Sequence, residues 1–256
     1  MMINIISFFI VIFANIIGAF AGMGGGIIIK PLVSILCHFP LATVIFYSNL
    51  SVIVMCLTSF TYNKMTKSVS YGKKTVPIVL GSLCGGLLGT IILNGAMRYI
   101  HDMVKPIQIT LTIVTLLISL WYQWRGKPLS QPFTKKGKIF LVGLIMGSFA
   151  VILGIGGGPI NVWLLMMFLA LPLKKATSYS LLSVMAAVAI RLLSDFSHLS
   201  SLNPSPVTMW VFIISAFIGS LIGILIKRHL PTYLFKKMYV IVLIGVIIIN
   251  VVNLLI

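Results

Sequence analysis

The chain has 256 residues, of which 59% are hydrophobic and 8% charged, with 19 Lys and Arg against 2 Asp and Glu and a mean hydropathy of +1.16. A soluble domain carries about 25% charged residues, so a soluble enzyme, a disordered chain and a disulfide scaffold are excluded and a polytopic membrane protein is left. The net charge of +17 sits in short tracts between apolar runs, the pattern of cytoplasmic loops rather than of a nucleic-acid-binding face.

From the N-terminus, apolar runs fall at 3–21, 26–37, 40–60, 75–94, 105–122, 138–153, 159–171, 173–193, 207–226 and 238–256. A full helical crossing takes about 20 residues. The runs 40–60, 75–94, 105–122, 173–193, 207–226 and 238–256 meet that length, so six full spans are expected. The other four runs form two pairs, each parted by glycines: Gly22-Met23-Gly24-Gly25-Gly26 and Gly154-Ile155-Gly156-Gly157-Gly158-Pro159. Adjacent glycines, followed once by proline, continue a helix poorly, so each pair reads as a broken hairpin. The first run lacks the basic start of a cleaved signal peptide and is expected to stay as a membrane segment. Cys37, Cys56 and Cys84 lie in apolar stretches without Cys-x-x-Cys spacing, as inert thiols do.

The chain also repeats itself. With Gly22 laid on Gly154, Gly24, Gly25, Gly26, Ile28 and Leu32 meet Gly156, Gly157, Gly158, Ile160 and Leu164. Further on, Pro40, Leu41, Tyr47, Ser48, Leu50, Ser51 and Val52 meet Pro172, Leu173, Tyr179, Ser180, Leu182, Ser183 and Val184. Two residues of drift later, Gly85-x-x-x-Gly89 meets Gly219-x-x-x-Gly223. The expected fold is an all-α polytopic membrane protein of two inverted repeats, each a glycine-broken hairpin plus three transmembrane helices. The repeats occupy 1–122 and 138–256, joined by a basic cytoplasmic linker at 123–137. Loop charges set the polarity: 61–74, the linker and 227–237 are rich in Lys and Arg and belong inside, while 95–105 and 194–206 are poor and belong outside. Both termini then lie outside a cytoplasmic (inner) membrane.

Non-helical backbone at membrane depth is tolerated only inside protein or beside a water-filled cavity, and paired breaks in an inverted repeat point to a transport site. A helix restarting at Gly26 or Pro159 leaves unpaired N–H groups and partial positive charge, which suit an anion. The candidate substrate-binding residues are therefore Gly24, Gly25, Gly26, Gly156, Gly157, Gly158 and Pro159. Lys30 joins them as the one charge deep in an apolar hairpin, with Val162 as its counterpart, and Asn161 as the strong hydrogen-bonding group beside the second break. Tyr47, Ser48 and Ser51, and the matching Tyr179, Ser180 and Ser183, share a helix face at i, i+3, i+4 spacing, and Asn49 adds an amide in the first copy; they serve a site or join helices. The spaced glycines at 81/85/89 and 219/223 read as packing surfaces. Arg191 is expected to snorkel to the interface.

Glu is absent, and Asp102 and Asp195 fall in expected outside loops, so no membrane-embedded carboxylate relay is foreseen. No Walker A loop and no nucleophile–base set is present, and His38, His101, His198 and His229 have no metal spacing. Neither catalysis, a metal nor a cofactor is expected.

The segments GAFAGMGGGIIIKPLVSIL, the later Pro40 and SNLSV, and the second copy SFAVILGIGGGPINVWLL with KKATSYSLLSV resemble the sulfite exporter TauE/SafE family over nearly the full chain. That resemblance implies a bacterial-type cytoplasmic-membrane permease, linked to export of sulfite or organosulfonates such as sulfoacetate. It carries the family's glycine motifs onto Gly22 to Gly26 and Gly154 to Pro159. The expected activity is secondary transport, or facilitated export, of a small anion by alternating access. The expected partners are that anion, the lipid bilayer and, as one option, a second copy in a homo-oligomer. The alternative is an integral scaffold or accessory subunit that moves nothing.

Overall fold

Helices form where the apolar runs lie, because a bilayer leaves no solvent for unpaired backbone groups. The computed structural model describes residues 2–37, 39–69, 71–154, 157–197 and 204–255, without the side chains of Met2, Ile3 and His101. Among these residues all regular structure is helical, in ten helices. The first half holds α1 (Met2–Ala21), α2 (Gly26–Cys37), α3 (Leu41–Met65), α4 (Thr75–Tyr99) and α5 (His101–Arg125). The second holds α6 (Lys136–Ile152), α7 (Gly158–Leu169), α8 (Leu173–Ser197), α9 (Pro206–His229) and α10 (Thr232–Leu255).

Seven helices are long and apolar enough to cross a membrane: α1, α3, α4, α5, α8, α9 and α10. The sequence reading had six. The seventh is α1, whose 20 residues make about 30 Å of helix; one arm of the first hairpin is itself of spanning length. The helices also outrun the apolar segments. The linker is non-helical only from 126 to 135. Asp102 opens α5 and Asp195 lies within α8, so neither is a loop residue.

The two halves are laced together by exchange. α4 packs most extensively on α6, and α1 on α9; α4 also meets α8 as α9 meets α3. Small residues make the first two crossings close. A Cβ at Gly85 would overlap the Leu144 carbonyl oxygen, and one at Gly219 would come within 2.5 Å of that of Ile12. Leu144 and Ile12 are equivalent in the repeat, so both seams are built alike. Backbones approach to this distance only where glycine removes the side chain, and van der Waals contact then replaces the hydrophobic drive that lipid cannot supply. Pro40 and Pro172 open α3 and α8 in the same way, accepting from Val44 N at 3.0 Å and Ala176 N at 2.9 Å.

α8 is the central helix, with 78% of its apolar window buried, against 28% for α10 at the periphery. Leu87, Leu88, Ile91 and Ile92 on α4, and Trp210, Ile214 and Phe217 on α9, face outward as a lipid-facing band. All Lys and Arg except Lys30, Arg98, Lys105 and Arg191 gather at one end of the bundle, with the 66–74 loop, the linker and the starts of α8 and α10.

Candidate functional site

Both hairpins turn on matched glycines in the left-handed region, Gly22 at φ +69° and Gly154 at φ +63°, a conformation that costs any L side chain energy. α2 restarts from Gly25, whose carbonyl accepts from Ile28 N at 3.1 Å and Ile29 N at 3.0 Å. α7 restarts at Gly158 with Pro159 in its first turn, where the missing proline N–H is no loss. Gly156 and Ile155 lie outside the described residues. The two breaks meet: a Cβ on Gly158 would stand 3.1 Å from the Met23 carbonyl oxygen and 3.4 Å from Ile27 Cδ1. Two helix starts, Gly26 and Gly158, are thus brought together in the protein interior.

The amides around them are unusual. Asn161 is fully buried, and neither its Oδ1 nor its Nδ2 has a partner; a Cβ on Gly157 would lie 2.8 Å from that Nδ2. At the first break the corresponding place is taken by Asn15 of α1, with Oδ1 2.6 Å from where a Gly25 Cβ would be. Asn15 Nδ2 donates to Val11 O at 2.7 Å and to Ser51 Oγ at 2.8 Å, but its Oδ1 is buried without a partner. Ser48 Oγ is likewise buried and unpartnered. An unmet buried polar group costs about 1–3 kcal/mol, so such a cluster is a place where a ligand has something to satisfy.

Lys30 is buried at 6% exposure and ties the breaks together. Its Nζ donates to Gln108 Oε1 and, at 3.2 Å, to the carbonyl of Leu153, at the end of α6. Gln108 Nε2 in turn donates to Ile152 O at 2.6 Å. A cation at a helix C-terminus meets both the orphan carbonyls and the negative end of the dipole. From the other side, Ser180 Oγ donates to Gly22 O at 2.7 Å. Ser183 instead pairs with Ser82 at 2.6 Å, and Ser82 donates to Gly143 O at 3.1 Å, joining α8, α4 and α6.

The tyrosines lie away from the breaks. Ser205 N donates to the Tyr47 hydroxyl and Gly72 N to the Tyr179 hydroxyl, both at 2.9 Å. Each matched tyrosine thus caps the α3–α4 or α8–α9 loop belonging to the other half. Asn49 is also displaced from the breaks, donating to Asp195 at 3.4 Å. Arg191 does not snorkel: it is 6% exposed, paired with Asp195 at 2.9 Å and donating to Asn94 at 2.5 Å. The pair on one face of α8 neutralises itself, which is why both charges stay inside.

Sequence reasoning missed Asn15, Gln108 and Thr177, the last with its Cβ 2.5 Å from where a Gly22 side chain would start. The signal was present for the two amides, as polar side chains inside apolar runs. Among the described residues no cluster of His, Cys, Asp or Glu could hold a metal. Two helix starts, amide groups and one ammonium, enclosed away from water, can bind a small oxyanion. Residues 7–250 match the family model described as Sulfite exporter TauE/SafE. No curated protein matches the chain.

Proposed function

The chain belongs to the sulfite exporter TauE/SafE family, a family of membrane transporters, and from that premise we propose how it carries a sulfur anion. The anion sits where the two breaks meet, its oxygens taken by the first-turn N–H groups of α2 and α7 and by Asn161 Nδ2. Asn15 Oδ1 is an acceptor, so it suits a substrate oxygen that still bears a proton. Lys30 spends two donors on Gln108 and Leu153 O, and the ammonium as a whole supplies positive charge. Tyr47, Tyr179, Asn49 and Ser183 position helices and do not touch the substrate. With the basic end inside and both termini outside, inside-negative potential favours anion exit by roughly 2.3 kcal/mol per charge per 100 mV.

The two copies lie as inverted repeats, and the glycine seams define what moves. Because α9 is locked on α1 and α3, and α4 on α6 and α8, the rocking bodies are not the sequence halves. One is α1, α2, α3 and α9; the other is α6, α7, α8 and α4. They meet at the breaks and along α3 and α8, which is where alternating access needs its hinge.

The single observation that carries this reading is the fully buried Asn161 with both polar atoms unpartnered beside Gly157. Asn161→Leu is the test. A residue kept for stability would lose stability on replacement, whereas here thermal stability is expected to hold or rise, since an unmet buried amide is removed. Sulfite flux in proteoliposomes is expected to fall at least tenfold. Undiminished flux, against a panel of sulfite, sulfate, thiosulfate, sulfoacetate, taurine, acetate and chloride, would sink the site.

A further inference from the structure

Away from the breaks, at the basic end, a cavity of about 320 Å³ opens between the end of α3, the start of α8 and the end of α9. That is at the lower end of small-ligand pockets, about 300–1,000 Å³. Lys174, Lys175, Lys227 and Arg228 all line it. Lys227 donates to the buried Ser178 Oγ at 2.9 Å, Arg228 to the Tyr62 hydroxyl at 3.0 Å and Lys174 to Leu230 O at 2.5 Å. An ammonium has three donors and a guanidinium five, so these bonds aim each cation and leave donors over.

Among the described residues no acidic side chain balances this charge. Glu is absent; Asp102 begins α5 and Asp195 is held by Arg191, both at the opposite end of the bundle. Lysines spread along a membrane face need no partner, but four cations converging on one concavity, with Lys174 and Lys227 partly buried, repel one another and lose hydration. Asn63 and Ser178 line the cavity and also border a packing gap toward Cys56 and Ser59, between α3 and α8, that has no room for a water. Ser59 Oγ there is buried and unpartnered. Ser178 adjoins Thr177, the residue pressed against Gly22.

We propose that this cavity is an oxyanion docking site, where a small sulfur oxyanion is collected at the basic end before it reaches the breaks. The identity of the anion rests on the transport reading above; the site itself does not. The same chemistry would take the phosphate of a lipid headgroup, and the experiment separates the two.

Sulfite and inorganic phosphate binding are measured by calorimetry on the full chain in phosphatidylcholine nanodiscs. Measured in the Asn161→Leu background, which removes the site at the breaks, Lys174→Gln/Lys227→Gln is expected to weaken sulfite binding about tenfold, equivalent to about 1.4 kcal/mol, while Lys227→Arg retains it. The solvent-exposed pair Lys175→Gln/Arg228→Gln weakens it in the same direction and serves if the first pair does not fold. Equal affinity in that background with and without either pair would overturn the docking site. So would binding competed away by phosphatidylglycerol added to the disc, which would assign the cavity to lipid. Cavity binding without sulfite flux in wild-type proteoliposomes would break the transport proposal and leave the docking site standing.

Discussion

The two breaks share a backbone but not a polar lining. Gly22 and Gly154 turn alike, at φ +69° and +63°, and Gly25 and Gly157 each face an asparagine amide. Yet the asparagines come from different arms: Asn15 precedes its break and Asn161 follows its own, and their repeat partners are Gly147 and Ile29. The first break is held from α8 by Ser180, the second from α2 and α5 by Lys30 and Gln108. Where Lys30 has a counterpart it is Val162, fully buried. Repetition therefore fixes the scaffold, because packing and helix breaking depend on glycine and proline. In the proposed site the chemistry facing the anion is free to differ, because one bound anion needs only one set of donors.

The comparison breaks hardest at the glycines. Gly157 has φ +75° and a Cβ there would press on Ala150 Cβ at 2.7 Å, while Gly25 has only the end of the Asn15 side chain in the way. Gly157→Ala is expected to cost about 2–4 kcal/mol of stability, from left-handed strain plus overpacking. Gly25→Ala should cost less, about 1–3 kcal/mol; melting in detergent and sulfite flux measure both. Equal losses would show that the two breaks are more alike than their linings. Lys30→Met comes next. It strips the Leu153 carbonyl and Gln108 of their partner, an expected loss of about 1–3 kcal/mol, read as loosened amide exchange at the end of α6 with little change at Gly22. The smallest effects test the symmetry itself. Tyr47→Phe and Tyr179→Phe each remove one acceptor from a loop N–H, for about 0.5–1.5 kcal/mol apiece, with anion preference in the flux panel unchanged. A change of preference in either would return that tyrosine to the substrate site.

Much of this was legible in the residues. The apolar runs marked the helices within a few positions, and the glycine clusters marked both breaks. The small-residue stripes at 81/85/89 and 219/223 announced close helix crossings. What misled was local. The apolar run ending at 193 placed Asp195 in a loop, because hydropathy drops at a charge even when Arg191, one turn earlier, cancels it. Matched Tyr47 and Tyr179 left a site and a helix contact both open in the sequence, and the structure shows each hydroxyl accepting from a loop N–H of the other half. Lys30 was correctly singled out as a buried charge, but its partners lie 78 and 123 residues away, beyond any helical period.

By itself the sequence determined what a bilayer demands: helices of spanning length, interruptions where glycine and proline make continuation costly, and positive charge collected at one end. Those follow from solvent and backbone alone, so they can be read in order along the chain. Only the tertiary structure decided that the two breaks touch, that α4 and α9 are exchanged between halves, and that Asn15, Asn161 and Lys30 converge while the tyrosines and Asn49 turn elsewhere. Convergence depends on which helix faces meet, and in lipid those are chosen by close packing and hydrogen bonding between distant segments rather than by any pattern within one.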